Sequence, residues 1–248
     1  MIPTCYAAAG ELTSPLWCAA FAKGCGGVVR VGTDADIEPW PEPVALFGSP
    51  VLWRLLGRAL FETRDWYYGD HGYFGRGRYY RCTRGALQHD GTGDAGPERF
   101  EAHRLEVKRW RTSGRHVVVC PPDADFAELM GFDANRWLVE TLAALRQATD
   151  RTIMVRPRVI GRPLEIDLAD AWALVTYMSN AAVDALIAGV PVIVTGPSGA
   201  ARMGLRDPAA IETPILPDDR EQFLWNLASR QWTIEEMERG DLWREIGR

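Results

Sequence analysis

Residues 173–200, ALVTYMSNAAVDALIAGVPVIVTGPSGA, read as strand, helix, strand and a glycine-bracketed turn. The run that begins at Trp172 and ends at Tyr177 is apolar almost throughout rather than alternating, which marks a strand buried on both faces. Residues 180–188 carry small and branched apolar side chains at helical spacing and stop at Gly189. Residues 191–195 form the next apolar strand, and Gly196-Pro197-Ser198-Gly199 turns the chain. Two apolar strands joined through a helix make a parallel pair with a right-handed crossover.

The same alternation extends in both directions. Residues 116–120 and 152–155 read as strands, with a helix over 134–148 between them, and helices follow at 220–230 and after the Thr233-x-x-Glu236 capping box. In the first half, strands are expected at 2–8, 28–31, 43–47 and 66–68, the second of them of buried type. Helices are expected at 15–23 and 50–61. Residues 85–115 look irregular and contain the loop QHDGTGDAGPER. The fold class is therefore α/β: two small doubly wound, Rossmann-like domains facing a cleft, spanning residues 1–113 and 114–248.

Composition bounds the function. The 248 residues carry a net charge of −5, with 47% hydrophobic and 25% charged residues, as in water-soluble globular proteins. No apolar run reaches the length of a membrane span, and residues 1–15 lack the pattern of a secretory signal, so a cytoplasmic protein is expected. The five cysteines are scattered without metal-site spacing and read as idle thiols of a reducing compartment. Charge is uneven: residues 64–115 hold eleven Lys/Arg against seven Asp/Glu, and residues 116–248 hold thirteen against twenty. A basic middle on an acidic chain suggests a local anionic partner.

Chemistry concentrates where strands give way to helices in the second half. Ser179 and Asn180 precede a helix whose first amides and dipole favour a diphosphate, and Asp184 lies one turn in, where a carboxylate holds ribose hydroxyls. Thr195, Gly196 and Ser198 place hydroxyls and close backbone at the same edge, and Arg156 and Arg158 follow another strand, where guanidinium pairs with phosphate. The bland alternative makes Ser179 or Asn180 a helix cap, and Asp184 and the arginines solvated surface.

Ser179-Asn180, Asp184 and the Gly189-x-Pro191 step resemble the donor-binding segment of two-domain glycosyltransferases of the GT-B type; related patterns occur in capsular-polysaccharide transferases and nucleotide-sugar epimerases. Two features depart from that pattern: Asp184 stands where Glu is commoner, and the second acidic residue that some families place further along is not obvious after Pro197. The resemblance implies a nucleotide-sugar donor, a UDP-sugar in the usual form, with no further cofactor and no metal.

In that frame the first half supplies acceptor and base. WYYGDHGYFGRGRYYRCTR, residues 66–84, sets Asp70-His71 among aromatics and arginines. Either residue can take the proton of an acceptor hydroxyl. Tyr73, Arg76, Arg78, Tyr80, Arg81 and Arg84 would stack on and neutralise a polyanionic acceptor, with Lys108, Arg109, Arg111 and Arg115 extending the surface. DNA is one such acceptor, since some bacteriophage glycosyltransferases of this fold modify hydroxymethylated bases, and this stretch is similar to phage-encoded sequences. A phage-encoded enzyme would act in the host cytoplasm. A second reading is an aromatic hairpin whose arginines pair with acids such as Asp65 and Asp94. Asp34-Ala35-Asp36 has the spacing of a metal pair without supporting context. An epimerase or hydrolase of nucleotide sugars, or a non-catalytic nucleotide- or nucleic-acid-binding protein, stays open beside transfer.

Overall fold

The computed structural model describes residues 1–34, 43–62, 65–158 and 161–247, so Asp36 lies outside the described residues. The chain divides into two compact units, Met1–His89 with Arg230–Arg248, and Asp90–Ser229. The expected junction at 113/114 differs on two counts. The loop after His89 already belongs to the second unit, and the C-terminal segment returns to the first.

In the first unit, β1 (Thr4–Ala8), β2 (Val28–Gly32), β3 (Val44–Phe47) and β4 (Trp66–His71) are parallel, and β5 (Tyr80–Arg84) runs antiparallel to β4. The C-terminal β10 (Gln231–Trp232) pairs antiparallel with β5, giving the order β10-β5-β4-β3-β1-β2. Helix α1 (Thr13–Cys25) covers one face with α9 (Ile234–Glu238) and α10 (Asp241–Ile246), enclosing Trp17, Phe21, Phe47, Tyr67, Trp232 and Leu242. Val44 and Leu46, which point the other way along β3, are fully buried as well. Helix α2 (Trp53–Phe61) has its N-terminus held by Asp34, whose carboxylate accepts from the amides of Arg54 at 2.8 Å and Leu55 at 3.0 Å. Asp34 is thus a helix anchor. The expectation of a buried β2 is corrected: among the described residues it pairs with β1 alone, at the sheet edge, and Val28, Val29 and Val31 are exposed.

In the second unit, β6 (His116–Cys120), β7 (Thr152–Val155), β8 (Ala171–Thr176) and β9 (Val192–Val194) form a parallel sheet ordered β7-β6-β8-β9. Between β6 and β7 lie α4 (Ala124–Leu129) and the long α5 (Ala134–Ala148). Leu145 of α5 packs with Val117, Val119, Val175 and Ile193. Helices α6 (Leu164–Leu168) and α7 (Ala181–Ile187) contact β8. Helix α3 (Glu98–Glu101) packs on α8 (Arg220–Ser229). Both units show the Rossmann-like parallel order 2-1-3-4 in their own strand count. Among the described residues no helix is long and apolar enough to cross a membrane, and all five cysteines are free and buried.

Gly69 of β4 shows how tightly the first core closes. A methyl group there would overlap the Trp17 indole, which lies against the strand backbone. Gly69→Ala is therefore expected to cost about 1–3 kcal/mol by overpacking, read as a lower urea midpoint with the slope unchanged; a wild-type midpoint would contradict this packing.

Candidate active site

Ligands of doubly wound sheets bind beyond the carboxyl ends of strands, where the strand order reverses. In the first unit that point lies between β1 and β3. Ser49, just after β3, donates its hydroxyl to Glu11 at 2.6 Å, and Ser14 accepts from the Ala8 amide at 2.9 Å. Glu11, Ser14 and Ser49 went unnoticed in the sequence, because isolated small polar residues in a turn carry no spacing signal.

One strand further along, β3 and β4 pair up to Phe47 with Gly69, so Asp70 and His71 extend past the last residue of β3. The Asp70 carboxylate is fully engaged. Its Oδ1 accepts from the His71 amide at 2.7 Å, and its Oδ2 from Arg81 Nη2 at 2.5 Å. Arg81 also donates to the carbonyls of His71 and Leu87, and its guanidinium lies 4.9 Å from the Tyr73 ring centre. Burial is the largest influence and opposes the charge of Arg81, but Asp70, Tyr73 and Tyr68 together outweigh that penalty and hold the guanidinium above its ordinary range. His71 differs. Its ring sits edge-on to Phe47 at 5.4 Å and beside Tyr80 at 5.8 Å, and its buried Nδ1 has no hydrogen-bond partner.

The structure disperses the expected acceptor surface. Residues 66–84 form the β4–β5 hairpin, and the antiparallel pleat turns most of its rings inward. Tyr73, Tyr80 and Arg81 are buried, with Tyr73 accepting from the His89 amide at 2.9 Å. Arg84 makes a two-pronged pair with Asp65, both contacts at 2.9 Å. Arg76 and Arg78 stay exposed on the connection, which Gln231 clamps by bonding both the amide and the carbonyl of Phe74. Lys108, Arg109, Arg111 and Arg115 belong to the second unit, and Arg115 pairs with Asp170.

In the second unit the reversal lies between β6 and β8. The tip of α7 is closed by its own chain. The amide of Ala181 donates to Ser179 Oγ at 3.2 Å, Ala182 to the Ser179 carbonyl at 3.1 Å, and Val183 to the Asn180 carbonyl at 2.9 Å. The open amides expected for a diphosphate are therefore taken, because a serine before a short helix folds back on the backbone. Asn180 keeps a buried Oδ1 without a partner. Asp184 is half-buried, and its charge helps burial raise the Cys120 thiol at the end of β6.

Arg156 is committed to structure. Its Nε meets the buried carboxylate of Asp167 at 2.7 Å, its Nη2 donates to the Arg162 carbonyl, and Arg162 also pairs with Asp167. Arg158 is exposed. Thr195 Oγ1 accepts from the Trp137 indole at 2.9 Å, and Ser198 Oγ caps the amide of Ala200 at 3.2 Å. Gly196 lies against the half-buried Tyr177 ring, which packs on half-buried Phe132 at 4.5 Å, and Arg206 Nη1 reaches the Gly196 carbonyl at 3.5 Å. Tyr177, Phe132 and Arg206 escaped the sequence reading because they come from three separate segments. A groove of about 780 Å³ lined by Arg115, Arg146, Arg151 and Glu212 lies at the opposite, amino-terminal ends of β6 and β7, away from these residues.

No protein-family model matches the chain, and no curated protein matches it. Solved structures do. A beta Kdo 2,4 transferase, KpsC of Thermosulfurimonas dismutans, aligns over 94% of this chain and 92% of its own, with a TM-score of 0.56 and 14% identity. The beta Kdo 2,7 transferase of the same KpsC aligns over 96% and 98%, with a TM-score of 0.55 and 14% identity. These likenesses show the fold, and the neighbours that share it are glycosyltransferases.

Proposed function

We propose that the chain is a glycosyltransferase of GT-B type, which takes a sugar from a nucleotide-activated donor held by the second unit and passes it to an acceptor hydroxyl. The observation that carries this reading is the likeness to two Kdo transferases over more than nine-tenths of both chains. The acceptor oxygen forms a bond to the anomeric carbon as the bond to the donor phosphate breaks. The hydroxyl proton passes to His71, and the phosphate leaves as an anion met by arginine such as Arg158. His71 is the better base of the pair, because Asp70 already spends both oxygens on Arg81 and on the His71 amide. Asn180, Asp184, Thr195 and Ser198 contact the donor. A DNA acceptor has Arg76, Arg78 and Arg84 of the hairpin as exposed cations in its support, the last of them already paired with Asp65.

The test is a thermal-stability screen of the full chain against nucleotide sugars differing in base, with neutral sugars and Kdo as the transferred group, followed by product analysis of each stabilising donor in EDTA. A ligand that binds only the folded form at a hundred times its Kd stabilises by about 2.7 kcal/mol. Stabilisation by one donor, with transfer to an added acceptor, is expected. Free sugar or an isomerised donor as the only product, or no response to any donor, overturns the proposal.

A further inference from the structure

We infer that Tyr177 and Phe132 form a stacking platform for the base of a nucleoside phosphate, with Arg206 as the counter-charge for its phosphate. The inference deepens the proposed function and rests on its placement of a nucleotide on the second unit. Tyr177 is the first residue past β8, on the strand where the sheet order reverses. Its carbonyl accepts from the Gly196 amide at 2.8 Å, and a methyl group on Gly196 would stand 2.6 Å from the ring, so only glycine lets the ring lie on this turn. Phe132 reaches the same place from the loop after α4, its ring tilted 43° to that of Tyr177.

The two rings are not core filling. The apolar residues directly below, Val175 and Ile193, are fully buried, whereas Tyr177 and Phe132 each keep part of their surface in water. Aromatic pairs left partly wet beside an exposed cation suit a ligand with one flat face and one anionic group. Stacking accepts any base, because each has a π-face, and a guanidinium matches the geometry of a phosphate. Arg206 is exposed, donates to the Gly196 carbonyl, and has no carboxylate partner among the described residues. Burial raises the Tyr177 hydroxyl above its ordinary range, so it adds no negative charge near the phosphate.

Titration calorimetry on the full chain with UMP, CMP and AMP, and with ribose 5-phosphate and uridine as controls, separates the parts. Wild type is expected to bind at least one nucleotide more tightly than ribose 5-phosphate. Tyr177→Ala and Phe132→Ala should each weaken that nucleotide at least about fivefold and leave ribose 5-phosphate unchanged, while Tyr177→Phe retains affinity. Arg206→Gln, at an exposed position, should weaken nucleotide and ribose 5-phosphate but not uridine. Nucleotide affinity indifferent to the ring and Arg206 substitutions, or ribose 5-phosphate bound as well as any nucleotide, overturns the platform and leaves the transferase reading standing. Nucleotide binding that follows the platform without any glycosyl transfer overturns the transferase reading instead, and no binding of any nucleotide overturns both.

Discussion

His71→Ala is expected to lower the turnover of glycosyl transfer by a factor of about 10²–10⁴, the usual contribution of a positioned base, with donor affinity unchanged. The expectation follows from what each member of the Asp70-His71 pair already does. For Asp70 to accept a proton, it has to give up the negative charge that offsets the buried guanidinium of Arg81. The imidazole has no such obligation: its Nδ1 has no hydrogen-bond partner among the described residues, and its ring packs against Phe47 and Tyr80. Single-turnover kinetics on wild type and His71→Ala, beside calorimetric donor binding, checks this. His71→Gln should be as slow as alanine, because an amide cannot take the proton, whereas a packing role would let glutamine restore most of the rate. Wild-type turnover in both variants would remove His71 from the chemistry.

The strands and helices of the second unit were largely legible, and for one physical reason. Strands covered on both faces are apolar without interruption, and helices between them end in plain stop signals, so β6, α5 and the segment from β8 to β9 stand near where their patterns put them. Legibility failed where tertiary pairing overrides pattern. Residues 28–31 read as a buried strand, yet among the described residues β2 pairs on one side only. Tyr80–Arg84 is a strand paired on both sides that no apolar run announces, because Arg81 enters the sheet on the strength of a partner eleven residues away in sequence. The chain's return to the first unit through β10 is invisible locally: Gln231 looks like any surface amide and is fully buried against Phe74. Candidate donor residues fared similarly. Ser179 and Ser198 sit at turns, as their types require, but small polar residues at such places serve the backbone before any ligand, and here both cap amides.

The ion pair beneath the hairpin predicts the larger stability effect. Arg81 is 4% exposed and Asp70 29%, so alanine at position 70 strands a guanidinium in the interior, with two backbone carbonyls as its remaining strong acceptors. Removing one partner of a buried pair costs about 3–5 kcal/mol, a large share of the 5–15 kcal/mol that holds a typical domain together. Asp70→Ala should therefore shift the urea unfolding transition far more than Asp65→Ala, whose partner Arg84 is 39% exposed and whose pair contributes at most about 1 kcal/mol. Asp70→Ala with Arg81→Met should recover much of the loss, since methionine fills the space without a charge to strand. This difference also governs how loss of activity is read. An inactive Asp70→Ala that melts early reports on folding, and only the comparison with His71→Ala, where no charge is left unpaired, isolates the base. Equal, small costs for Asp70→Ala and Asp65→Ala would mean that the Arg81 charge is solvated after all, and Asp70 would return as a candidate proton acceptor.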